Sequence, residues 1–506
     1  MSMNSFIGRL AVGASFVAMF TIGGCGGGDS TLADSANVTL ETPHAGTTPF
    51  IASVGLAASN LDRMRSIRFR IDSKPNAKSR PASATFSADY LSRRGLASQT
   101  GGRATVPLFG LYAGRHNTGA IEIEYDDGSV VSTPFAFDAA AYVDPNATYD
   151  RPVVRVSRAT GSLLGFDFFF MKSALGPPII VDTDGEIRWI GTGVASSGSS
   201  IFKDNGFIVG VPDLKLRRLE LDGSVSDLAT VQSTTYTTFH HNFDLGKSGL
   251  LVEVEAEIGG VPVLESVLAE IAADGTVIGE WNFEKILSRH MLRAGDDPTI
   301  LIRPGVDWFH MNAATYDPRD DSIIASSREN FVIKVDYKTG EVIWIFGDPT
   351  KYWYTVPSLR AKSLSLAAGG LYPIGQHSIS ILHTGDLLMF NNGLNASHAP
   401  PGQSAGETRP FSVVSAFAID QPALVATESW RFEYDRSISS VVCSSAYQTA
   451  DGSTLVTYST ADNYAHARLV GLNPQRQVVF DLQYDTTPCA VSWNSQPVPL
   501  EALVFE

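Results

Sequence analysis

Apolar and polar positions alternate in short runs from about residue 40 to 145, as in SIRFRI (66–71), ATFSADYL (84–91) and GAIEIEYDDGSVVSTPFAF (119–137). A period of two puts successive side chains on opposite faces of a strand. In the last run an Asp-Asp-Gly turn separates two alternating halves, the pattern of a β-hairpin. Residues 41–148 therefore read as a small N-terminal β-sandwich. The turn-rich stretch YVDPNATYDRP (142–152) marks its end.

Beyond it the pattern repeats. One element is a strand, a turn and a second strand often ending in tryptophan: IIVDTDGEIRWIG around Gly185, LRRLELDGSVSDL around Gly223, LAEIAADGTVIGEWNF around Gly275 and IKVDYKTGEVIWIFG around Gly340. AFAIDQPALVATESWRF and VGLNPQRQVVFDLQY are weaker copies. Between them recurs a second strand–turn–strand: FKDNGFIVGV, LGKSGLLVEV, YDPRDDSIIASS, LHTGDLLMFNNG and TADGSTLVTYS. Interleaved, the two describe six four-stranded units spaced roughly 40–65 residues apart, the signature of a ring of blades with loop insertions. The expected fold is all-β: a six-bladed β-propeller over residues 149–506 behind the sandwich. Helix is expected to be scarce, with HMLRAG (290–295) and SLRAKSLSLA (358–367) the stretches that suggest it.

Composition narrows the partners. A chain of 506 residues with 44% hydrophobic content can bury a large core, and a net charge of −15 argues against nucleic acid, whose phosphates want a basic face. Residues 1–25 read as an export leader: Arg9, then the apolar run LAVGASFVAMFTIGG, then Cys25, too short to span a membrane comfortably. Small residues before a cysteine resemble a bacterial lipoprotein processing site, which would make Cys25 the lipidated N-terminus; the alternative is an ordinary leader. Residues 26–40 are small and polar, a flexible tether. With Cys25 set apart, Cys443 and Cys489 remain as an even pair, expected as a disulfide in an oxidising compartment.

Of ten histidines, His44, His116, His290, His383, His398 and His466 sit in unpatterned contexts. Three others recur at related positions. His241 and His377 each lie eight residues before a turn glycine, Gly249 and Gly385, and His310 precedes a longer version of the same strand and turn. In a propeller the strand opening each blade runs beside the axis, so matching positions converge. Adjacent strand residues point opposite ways, so His240 and His241 are not both expected to face the axis. The turn register favours His241, and the His-x-Asn spacing shared with His310/Asn312 favours His240. Arg328, at the end of the strand begun near His310, can return to the same centre, where its forked donors suit an oxyanion. Asn312 could donate to that anion or satisfy a backbone carbonyl. Trp308, Phe309 and Tyr372, near these motifs, are expected in the core.

The run DWFHMNAATYDPRDDSIIASSRENFVIKVDYKTGEVIWIFGD (307–348), with HHNFD upstream and GQHSI downstream, resembles bacterial arylsulfate sulfotransferases that use no nucleotide donor. The resemblance implies a six-bladed propeller with an N-terminal sandwich, a periplasmic location, and no cofactor. It implies that His377 carries the sulfuryl group, that His310 and a histidine of HHNFD assist, and that Arg328 and Asn312 hold the sulfuryl oxygens. The expected partners are small aryl sulfates and phenols, with a membrane reached only through a lipid anchor and a homodimer left open. No G-x-x-x-x-G-K-[ST] loop occurs, so nucleotide-dependent sulfuryl transfer has no support. The rival readings are a metal-dependent hydrolase or lyase built on the three histidines, opposed by the lack of a carboxylate in register and by Arg328, and a non-catalytic propeller that binds a partner.

Overall fold

The computed structural model describes residues 38–98, 101–145 and 147–506, so Cys25, the leader and most of the tether lie outside the described residues. The chain is all-β, and the described residues form eight sheets. Two lie in the N-terminal region. One is built on Ile51–Ala58 and Arg103–Phe109, the other on Met64–Ile71, Ala82–Ser87, His116–Tyr125 and Val130–Asp138. Their alternating apolar residues, Val54, Leu56, Val106 and Leu108 from one and Ile67, Phe69, Ile121 and Ile123 from the other, share one core. The run read as ATFSADYL is half strand: after Ser87 the chain turns into a short helix, Ala88–Arg93. The Ser87 hydroxyl accepts from Tyr90 N at 3.0 Å and Asp89 sits in the first turn, an N-cap that overrides the alternation.

Each of the other six sheets contains a four-stranded meander. In chain order, sheet 2 spans residues 200–230, sheet 3 236–282, sheet 4 311–346, sheet 5 376–432 and sheet 6 445–485. Two carry a fifth strand: Ser365–Leu366 pairs parallel with the outer strand of sheet 5, and sheet 6 gains one from earlier in the chain. Sheet 1 begins with Phe168–Lys172, Ile179–Asp182 and Ile187–Ile190 and is completed from the far end of the chain, where Asn494–Val498 pairs antiparallel with Phe168–Lys172. Two further seams join distant segments. Val153–Val156 adds to the outer strand of sheet 6, and Leu503–Phe505 joins the N-terminal sheet beside Ala82–Ser87.

Consecutive sheets touch through their first strands from sheet 2 to sheet 6, and sheet 6 touches the Asn494–Val498 strand of sheet 1. Sheet 1 meets sheet 2 through Phe170 and Trp189 on Phe207, ring centroids 4.7 and 5.0 Å apart. Each such buried aromatic contributes about 1.5–3 kcal/mol. Trp308 and Phe309 pack with Phe283 and Phe331 in the core between sheets 3 and 4, and Tyr372 packs on Phe346. The longest helix among the described residues is Phe283–Ala294, capped by Asn282 and ended by Gly295 at φ 84°. No helix among the described residues is long and apolar enough to cross a membrane.

Candidate active site

The first strands bulge where the motif histidines lie. Register slips between His240 and Phe243, between Met311 and Ala313, and between His377 and Ser380. His241, His310 and Ser378 adopt φ of 42°, 51° and 55°, a conformation that breaks strand alternation and re-aims side chains. The expectation that His240 and His241 point apart is therefore corrected. Their rings lie 3.9 Å apart, and both approach Glu265: His240 Nε2 at 3.0 Å and His241 Nδ1 at 3.8 Å.

His310 joins the same group. Its ring is 5.1 Å from His241, and its Nδ1 lies 2.5 Å from Asp307 Oδ2 and 2.9 Å from Glu265 Oε2. Burial disfavours its charge, but the two carboxylates outweigh this and lift its pKa to about 9. Glu265 is correspondingly held well below the usual carboxylate range, burial being overcome by His240 and His310. His241 is pushed well below its ordinary value by burial and by the charges of its two histidine neighbours. One site thus holds a cationic and a neutral imidazole side by side.

His377 is of the neutral kind. It is 3% exposed, and burial, with the charges of Arg328 and His310 nearby, pushes its pKa down to about 3. Its Nδ1 lies 2.6 Å from Asn392 Oδ1, with Gly375 O also near at 3.3 Å. A neutral ring that donates from Nδ1 to these acceptors keeps its lone pair on Nε2.

Arg328 returns to this centre as its place at the strand end suggested. Its backbone N donates to His310 O at 3.0 Å, and its charge reaches His377. It is 4% exposed; Nη1 is taken by Glu329 and by Ser397 Oγ at 3.1 Å. Asn312 Nδ2 donates to Gln376 O at 2.8 Å, so it satisfies the backbone carbonyl next to His377. Cys443 and Cys489 are disulfide-bonded.

Several participants were not found by motif reading. Glu265 lies on the third strand of sheet 3, within a bulge opposite Val254 and Ala256, at φ 41°. Lys172, at the end of the seam strand in sheet 1, is fully buried and donates to Asn242 Oδ1, and burial lowers its pKa to about 8. Trp493, from the chain's last segment, puts its ring 5.6 Å from His241. His398, read as incidental, donates its backbone N–H to Glu329 Oε2 at 2.6 Å. Only folding brings these to the motif residues.

The lack of a carboxylate in the histidines' register does not keep one away, because Glu253 and Glu265 come in from the second and third strands of sheet 3. His241, Glu265 and His310, and likewise His240, His241 and Glu253, each offer ligand atoms within 4.8 Å of one another, enough to hold a metal ion. Both Glu253 oxygens are buried with no hydrogen-bond partner among the described residues, and burial raises its pKa well above the usual range.

An all-β chain that gathers a lone-pair imidazole, a cationic imidazole and a buried guanidinium is equipped for group transfer on an anionic ester. A profile of the arylsulfotransferase (ASST) family matches residues 155–494, and the chain belongs to that family. Arylsulfate sulfotransferase AssT of Escherichia coli O6:H1 (strain CFT073) is 29% identical over 150 residues, covering 27% of this chain and 24% of that protein. The chain thus spans about a quarter of the length of that curated relative. Among solved structures, a complex of BBS1N with ARL6DN soaked with mercury superposes at TM-score 0.27 and 11% identity, over 68% of this chain and 99% of that one. The lead-soaked form gives 0.26 and 8%, over 76% and 94%. Superpositions this loose carry no argument.

Proposed function

We propose that the chain is a nucleotide-independent aryl sulfotransferase that moves a sulfuryl group from an aryl sulfate to a phenol through His377. The observation that carries this reading is the wiring of His377: neutral, with Nδ1 engaged and Nε2 free, beside a permanent cation. Family membership and the AssT match support the substrate class. In this reading the six sheets are the blades of a six-bladed β-propeller over 149–506, with a sandwich over 41–148. The mature protein is periplasmic and anchored through Cys25.

In the first half-reaction His377 Nε2 attacks sulfur, the N–S bond forms, and the S–O(aryl) bond breaks with its electron pair going to the phenolic oxygen. His310, standing protonated between Asp307 and Glu265, gives that oxygen a proton. In the second, a phenol attacks sulfur, the N–S pair returns to Nε2, and His310, left neutral by the first step, takes the phenolic proton. The Arg328 guanidinium balances the charge on the sulfuryl oxygens. Loss of such a cation typically costs about a hundred- to thousandfold in rate, and loss of the acid–base partner about a hundred- to ten-thousandfold.

Intact-mass measurement after mixing with an aryl sulfate alone tests this. An added sulfuryl group should appear, discharge on addition of phenol, and be missing from His377→Ala. Release of 4-nitrophenol only when a phenol acceptor is present separates transfer from hydrolysis. The histidine–glutamate cluster favours one second reading, a metal-dependent hydrolase or lyase. Full transfer activity in chelator-treated, metal-free protein would remove it.

A further inference from the structure

Asn392 is fully buried and faces three groups at once. Its Nδ2 donates to the Ser440 carbonyl and to the Cys443 carbonyl at 3.1 Å, while Oδ1 accepts from His377 Nδ1. Two acceptors on one side fix which way the amide points: the flipped amide would set its oxygen against two carbonyl oxygens. The amide oxygen must therefore face the ring, and an oxygen can only accept. Gly375 O, the other atom near Nδ1, is also an acceptor. Nothing in this arrangement tolerates an unprotonated Nδ1.

We propose that Asn392 is a positioning residue that locks His377 in its Nδ1–H tautomer, so that Nε2 presents a lone pair to the sulfate ester. The proposal rests on the sulfohistidine reading above and says what makes that histidine a nucleophile. An amide cannot take the Nδ1 proton, so the ring keeps it throughout. It becomes an imidazolium when Nε2 bonds to sulfur and leaves as neutral imidazole when the phenol attacks. The nucleophile then needs no proton transfer of its own, and all proton movement falls to His310 and its neighbours.

The test is a long-range proton–nitrogen spectrum of protein labelled with ¹⁵N-histidine, together with the rate of sulfuryl adduct formation. In the unaltered protein His377 should show a protonated Nδ1 and an unprotonated Nε2. In Asn392→Ala the pattern should mix or reverse, and adduct formation should slow by at least about tenfold, with little change in donor KM, as happens when an imidazole loses the partner that sets its tautomer. A protonated Nε2 in the unaltered protein overturns the proposal whether or not the variant folds. So does an Asn392→Ala protein that keeps both the spectrum and the adduct rate. Absence of any adduct in the unaltered protein would instead sink the sulfohistidine reading, leaving the tautomer measurement to stand or fall separately.

Discussion

Replacing Asp307 by Asn removes one of the two carboxylates that hold a proton on His310 while keeping the side chain's shape. In the native site that proton is retained up to a pKa of about 9, against 6.5 for an ordinary histidine. Losing the carboxylate at 2.5 Å should bring the value down by about one unit or more, each unit being about 1.4 kcal/mol of preference for the charged ring. For a shift of about one unit, the protonated fraction at pH 9 falls from about one half to about one tenth, roughly a fivefold loss, while at pH 6 both proteins stay protonated. The assay is single-turnover release from two donors. With phenyl sulfate, whose leaving phenol is as basic as a tyrosine, the loss at pH 9 should be full; with 4-nitrophenyl sulfate, whose phenolate leaves unaided, it should be small. A loss equal at pH 6 and pH 9, or equal for both donors, would refute His310 as the acid. The same shift bears on stability: a raised folded-state value stabilises fully below about pH 6.5, and the contribution disappears as pH climbs through about 9.

Arg328→Lys should fold normally but lose about a hundredfold in turnover, because an ammonium cannot reproduce the planar fork; unchanged kcat in a steady-state assay would count against the anion-holding role. Chain entropy over the 46 residues closed by Cys443–Cys489 sets a ceiling of about 4 kcal/mol on what that bridge adds, so Cys443→Ser should lower the urea midpoint measurably and steepen the slope, because the unfolded chain exposes more surface without the bridge. Cys25→Ser should release the protein from the membrane fraction into the soluble periplasm while leaving specific activity intact, read by fractionation and a lipid-dependent mass difference.

The motif histidines were legible because turn glycines mark register. Gly249 and Gly385 sit at one offset from His241 and His377, but folding does not keep the two equivalent: His377 pairs with Phe390 on the ladder, whereas His241 falls in the bulge between His240 and Phe243. The partners of those histidines carry no such mark. Glu265 is one glutamate among several on an ordinary strand until a bulge at φ 41° swings it towards the histidines of two sheets. Asn392 follows a strand in a common MFNNG stretch, and its role depends on two carbonyls that lie 48 and 51 residues further on.

Local alternation and turn chemistry alone pointed to an all-β chain, to repeated strand–turn–strand units and to three histidines at related spacings, since each depends on neighbours in sequence. Only tertiary structure decided that the last strand closes sheet 1, that His240 and His241 both turn to one carboxylate, and which imidazole holds a proton and which stays bare. Those outcomes depend on burial and on charges a few ångströms apart in space but tens or hundreds of residues apart along the chain. No periodicity in the sequence records them.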